Sequence, residues 1–148
     1  MTASDDAHGV QMVEDVVALL DQVGISKAHV VGYSMGGMGW MPEGSKVQKV
    51  WELMPTRQRS SKPAACIRGL SNLAVSEEEL KAIHVPVLVI VGDRDPVKGI
   101  YVEPLERARK DWKVIEVKGA GHLNGVAKTE FKESLKKWLD SQAKPLPQ

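Results

Sequence analysis

The sequence predicts an α/β layered fold with a short, mostly parallel sheet flanked by helices. Amphipathic helical stretches alternate with short β-branched runs, the pattern of strand–helix–strand units. The clearest run, Val85-Pro86-Val87-Leu88-Val89-Ile90-Val91, is apolar at every position. A half-exposed strand would alternate, so this one is expected to lie in a parallel sheet covered on both faces. Glycine-bearing turns follow the runs, at Gly32, Gly92 and Gly119.

Residues 9–23 are expected to form the first helix. Val10, Val13, Val17 and Leu20 make one stripe, and Met12, Val16, Leu19 and Val23 widen it. Gly24 stops it from the C′ position. Ala28 to Gly32 is a short apolar strand. The helix after Ser34 is expected to be poor, because Gly36, Gly37 and Gly39 weaken it and Pro42 breaks its hydrogen bonding. Ser45 and Gln48 match a capping box for a helix that Pro55 ends. Thr56 to Pro63 is a polar, basic loop whose Arg57, Arg59 and Lys62 make an ordinary solvated surface, and a short helix covers Ala64 to Leu70. Ser76 and Glu79 form a second capping box, opening a helix to about Ile83.

The strand from Val85 ends at Gly92. A charged helix is expected over Val102 to Lys110, with Pro104 limiting its start, then a strand from Val114 to Val117. The last helix spans 129–140 with Phe131, Leu135, Trp138 and Leu139 on one face. The tail from Lys144 to Gln148 is expected to fray.

At 148 residues the chain is most simply one domain, 1–148. Twenty basic and nineteen acidic residues leave +1, which gives nucleic acid no electrostatic footprint. The single cysteine, Cys66, has no internal disulfide partner and fits a small buried side chain in a reducing compartment. The first ten residues have neither the basic nor the apolar region of a secretory signal, and Val85–Val91 is too short to span a membrane. A cytoplasmic protein is expected, with no membrane partner.

The chemistry concentrates at Gly32-Tyr33-Ser34-Met35-Gly36. G-x-S-x-G after an apolar strand is the pattern of a nucleophile elbow, a sharp turn that lifts a serine above the sheet. The glycines on either side are expected to be required, since a side chain there would meet neighbouring backbone. The N–H of Met35 then stands at a helix start, where it stabilises an oxyanion. Serine needs a base, and that base needs an orienting group. Gly92-Asp93-Arg94-Asp95-Pro96 and Gly119-Ala120-Gly121-His122 each follow a predicted strand. Loops at the carboxyl ends of parallel strands gather on one edge, so Ser34, Asp95 and His122 can converge. His8, His29 and His84 lie in the approach to the first helix or beside strands, where packing or surface roles suffice. The sequence offers no metal-ligand spacing, G-x-G-x-x-G or P-loop, so no cofactor is expected.

These segments resemble the α/β-hydrolase family. The likeness rests on Gly32-Tyr33-Ser34-Met35-Gly36-Gly37, on the strand and G-x-x-D turn ending at Asp95, and on Gly119-Ala120-Gly121-His122. The chain order Ser, Asp, His is the family's, and the helix and turn before the elbow resemble those of its small esterases. The resemblance implies that Ser34 is the nucleophile, that His122 is base and then acid, and that Asp95 orients His122. Asp93 is the competing acid. Tyr33, beside the nucleophile, is expected to touch substrate.

The chain also departs from the family. Only 33 residues precede Ser34, so the early strands are expected to be absent, together with the loop that supplies a second oxyanion N–H. The elbow strand would then present an apolar edge that needs covering, and a homodimer or domain-swapped oligomer is expected to cover it. The expected activity is hydrolysis of small carboxylic esters through an acyl-enzyme on Ser34. The alternatives are a catalytically silent, hydrolase-derived binding or oligomerisation module, or the same triad in a perhydrolase, amidase or C–C hydrolase.

Overall fold

The computed structural model describes residues 8–37, Trp40 and residues 75–142. The chain divides into two compact units, Met1–Ser76 and Glu77–Gln148. The helices expected after Ser45 and over Ala64–Leu70, the basic loop between them, Cys66 and the tail from Lys144 lie outside the described residues.

In the first unit, α1 runs His8–Gln22. Its end is a Schellman motif. Gly24 adopts φ 69°, its N–H donates to the Asp21 carbonyl at 3.1 Å, and the Ile25 N–H donates to that of Leu20 at 2.9 Å. A left-handed residue at this point is why the sequence has glycine there. The apolar stripe of α1 is exposed: Met12, Val13, Val16, Val17 and Leu19 each keep more than half of their surface.

The expected strand from Ala28 to Gly32 is corrected. Among the described residues, 27–33 pair with no strand, and Val30 is 91% exposed. Apolar, β-branched character favours an extended chain, but a strand exists only through the ladder it shares with a neighbour. The segment leads into a 3₁₀ turn, Ser34–Gly37; the remainder of the helix expected to be poor, with Gly39 and Pro42, lies outside the described residues. Trp40 is buried and forms an isolated parallel bridge with Val75.

The second unit is α/β. Its elements are α2 (Glu77–Lys81), β1 (Leu88–Gly92), a π-helical turn (Lys98–Val102), α3 (Glu103–Ala108), β2 (Lys113–Val117), a 3₁₀ turn (Gly125–Ala127) and α4 (Thr129–Gln142). β1 and β2 form a two-stranded parallel sheet in the register Leu88↔Lys113 to Gly92↔Val117. β1 therefore starts three residues later than the apolar run. Pro86 has no N–H to give a ladder, and Val85 stays exposed. Burial deepens toward the carboxyl ends: Leu88, Val89 and Ile90 are half-buried, whereas Val91, Gly92 and Val117 are buried. α4 packs on both strands, and its Phe131, Leu135, Trp138 and Leu139 are all half-buried.

The helix expected from Val102 begins earlier, because the π turn feeds α3. The Glu103 N–H reaches back five residues to the Lys98 carbonyl, and Pro104 sits in the first turn of α3, where a missing N–H costs little.

Arg109, at the end of α3, is a buried charge at 7% exposure. Its guanidinium donates to the carbonyls of Leu80, in α2, and Ile83, just beyond it. It also grips both carboxylate oxygens of Asp111 at 2.8 and 2.7 Å, and lies 4.5 Å from the centre of the Trp112 ring. This planar fork satisfies the carbonyls left over at a helix end, a task lysine's point charge performs less well. The Arg109 hydrogen bonds hold the Asp111 carboxyl down at about 2. A carboxylate with a lower pKa folded than unfolded adds stability that is complete above its unfolded pKa, about 4, and lost as pH falls through the folded one. Thermal melts should therefore show stability dropping between about pH 4 and pH 2. Asp111→Asn should be less stable at neutral pH and flatter across that window. Parallel melting curves for the two proteins would refute the assignment.

Candidate active site

The two loops at the carboxyl ends of β1 and β2 carry the acid and the histidine, and their backbones are laced together. The Asp93 N–H donates to the Val117 carbonyl at 3.1 Å, and the Arg94 N–H to that of Ala120 at 3.0 Å. The Ala120 N–H returns a bond to Asp93 Oδ1 at 3.2 Å. So close an approach requires Gly92. A Cβ there would fall onto the Ala120 carbonyl oxygen, 2.6 Å from its carbon and 3.0 Å from the Ala120 Cβ. Gly119 takes φ 63°, which turns the chain toward His122.

His122 Nδ1 lies 2.9 Å from Asp95 Oδ2. An ionised carboxylate only accepts, so Nδ1–H is the donor, and in the neutral ring Nε2 holds the lone pair. The Asp95 side chain is 10% exposed and that of His122 32%. Asp95 is itself held, since its Oδ1 accepts the Val97 N–H at 2.9 Å. Its carbonyl accepts the Lys98 N–H at 3.0 Å, which ties the acid to the start of the π turn. The histidine loop is braced from its far side by Asn124. Its Oδ1 accepts the Gly121 N–H at 2.7 Å, and the Gly125 N–H donates to the Gly121 carbonyl at 3.1 Å.

Asp93 faces elsewhere. Its carboxyl is held below the usual carboxylate range, chiefly by the backbone N–H of Gly119, with Ala120 and the charge of Arg94 adding to the effect. Of the two acids that spacing alone leaves open, the imidazole partners Asp95.

Ser34 lies in the first unit, at the head of the 3₁₀ turn, half-buried. It is the one non-glycine among the described residues with positive φ, 53°. L-residues hold such a backbone at a cost of roughly 1–3 kcal/mol, and they do so most often at functional sites. Gly32 makes the turn possible: a Cβ there would strike the Gly36 carbonyl oxygen and lie 2.7 Å from its carbon. The symmetric expectation for Gly36 is not met among the described residues, where nothing lies within 4 Å of a Cβ built on it. Among these residues the tight approach is that of the Gly36 backbone folding over Gly32. Met35 follows Ser34 within the turn, and Tyr33 before it is about half exposed and lends its carbonyl to the Gly36 N–H at 3.0 Å.

His29 and His84 are exposed. Among the described residues no three His, Cys, Asp or Glu side chains gather as a metal would need, and no helix is long and apolar enough to cross a membrane. Sequence alone does not single out Asn124, Gly92 as a packing requirement, or Arg109. A glycine closing a β-branched run was the available signal for Gly92; the other two carried none.

No family model matches the chain, and no curated protein matches it. Among solved structures it is similar to E-2-(acetamidomethylene)succinate hydrolase, at 23% identity and a TM-score of 0.44, over 54% of this chain and 31% of that protein. The chain thus spans less than a third of the length of that hydrolase.

Proposed function

We propose that the protein is a serine hydrolase of small carboxylic esters. Ser34 attacks the acyl carbonyl and His122 Nε2 takes its proton. His122 then returns that proton to the leaving alcohol as the acyl-enzyme forms. Water, deprotonated by the same nitrogen, releases the acid and frees Ser34. Asp95 keeps the ring in the tautomer this needs and stabilises the imidazolium. The Met35 N–H stabilises the oxyanion, and Tyr33 borders the acyl group. The observation that carries the reading is the Asp95–His122 hydrogen bond at the carboxyl ends of parallel strands. The strained Ser34 backbone and the chain order Ser, Asp, His support it. The test is release of p-nitrophenol from its acetate and butyrate esters, with Ser34→Ala as the comparison.

A second reading, a catalytically silent module that binds or oligomerises, is favoured by one observation: the apolar surface of α1 together with Val30 and Val31 is exposed. Either reading is compatible with a second copy of the chain covering that surface, as large exposed apolar patches commonly mark interfaces. Light scattering at micromolar concentration should give twice the chain mass. Val30→Asp with Val17→Asp should return it to the monomer mass. A wild-type monomer would remove the dimer.

A further inference from the structure

We propose that Asp93 is a positioning residue for His122, acting through the backbone of the loop that carries the histidine. Three consecutive N–H groups precede His122: those of Gly119, Ala120 and Gly121. Side-chain oxygens engage the last two, Asp93 Oδ1 that of Ala120 at 3.2 Å and Asn124 Oδ1 that of Gly121 at 2.7 Å. A backbone hydrogen bond on its own would leave this loop a hinge, because Gly119 and Gly121 flank Ala120 and glycine resists bending little. Asp93 removes that freedom from the β1 side, and the Arg94 N–H holds the Ala120 carbonyl from the same turn. The two acids of Asp93-Arg94-Asp95 thus divide the work. Asp95 binds the ring, and Asp93 binds the backbone that sets where the ring stands. The carboxylate is favoured over a neutral acceptor because a bond to a charged oxygen is the stronger one, and the lowered pKa of Asp93 agrees with its holding backbone N–H groups of this loop.

The consequence for turnover rests on the serine-hydrolase reading; the consequence for His122 rests on the fold alone. The experiment keeps the two apart by reading His122 directly, in full-length ¹⁵N-labelled wild type, Asp93→Ala and Asp93→Asn. In wild type, His122 should be the Nδ1–H tautomer with a downfield Nδ1 proton. In Asp93→Ala that resonance should broaden or vanish, and amide exchange at Gly119 and Ala120 should rise about tenfold or more. kcat should fall roughly 10- to 100-fold with KM little changed, as misplacing a catalytic group does. Asp93→Asn keeps one acceptor oxygen and should recover most of the His122 signal and of kcat. A wild-type His122 signal and wild-type exchange in Asp93→Ala would overturn the proposal. If that variant does not fold, the wild-type protein decides. A scalar coupling across the hydrogen bond from the Ala120 amide nitrogen to the Asp93 carboxyl carbon supports the proposal, and its absence overturns it. Wild type that is inert toward esters but shows the His122 response would defeat the hydrolase reading and leave the role of Asp93 standing.

Discussion

Ser34→Ala is expected to abolish ester turnover while leaving the fold intact. Loss of the nucleophile from a Ser-His-Asp triad costs on the order of 10⁶ in kcat. The remaining rate comes from oxyanion stabilisation and substrate binding, which the substitution leaves in place. Alanine is nearly isosteric and inherits the positive φ of 53°, so stability should change little. Ser34→Gly separates the two effects. It removes the same hydroxyl and also relieves the backbone strain, since glycine occupies this region freely. It should melt higher than wild type, by roughly 1 kcal/mol, and be equally inactive. A residue whose replacement stabilises the protein and destroys its activity is held in place by function. The measurements are kcat/KM on p-nitrophenyl acetate and a thermal melt for each of the three proteins. Equal rates in wild type and Ser34→Ala would reject the hydrolase reading.

What was legible in the sequence follows the range of the forces involved. α1 and α4 are legible to within two residues because an apolar stripe is a local signal, joined in α1 by its terminal glycine. β1 and β2 were found because β-branched runs with glycine turns need only a partner somewhere in the chain. The stretch from Ala28 to Gly32 carries the same composition and forms no strand, because pairing is a property of neighbours and no local pattern encodes it. The elbow illustrates the same limit. Gly32 and Gly36 are equivalent in the motif, yet among the described residues backbone crowds the Cβ position of Gly32 and not that of Gly36. Arg109 looks like any cation on a charged helix until the carbonyls of Leu80 and Ile83 are seen to end against it. The choice between Asp93 and Asp95 needed geometry too. Two residues apart on one turn, they differ in which partner each reaches.

Gly92→Ala should be the most damaging single methyl group in the second unit. The added Cβ meets the Ala120 carbonyl and the Ala120 side chain, both belonging to the opposite loop. Backbone has no rotamer by which to escape, so the loops must separate. Overpacking of this kind costs roughly 1–3 kcal/mol. The bonds from Arg94 to Ala120 and from Ala120 to Asp93 stretch with it, at about 1 kcal/mol each. A displacement of about 1 Å at His122 is enough to lower turnover ~10²-fold, so kcat should fall well beyond what the stability loss explains. Gly99→Ala provides the contrast. Gly99 lies in the π turn between the same two strands, and among the described residues nothing stands within 4 Å of its Cβ position. There, alanine reduces only the freedom of the unfolded chain and should be neutral or stabilising by up to about 1 kcal/mol. Denaturant melts and kcat for the pair therefore separate a general intolerance of side chains around β1 from a specific demand at Gly92. Equal behaviour of the two variants would mean that the contact between the acid loop and the histidine loop is not what holds His122 against Asp95.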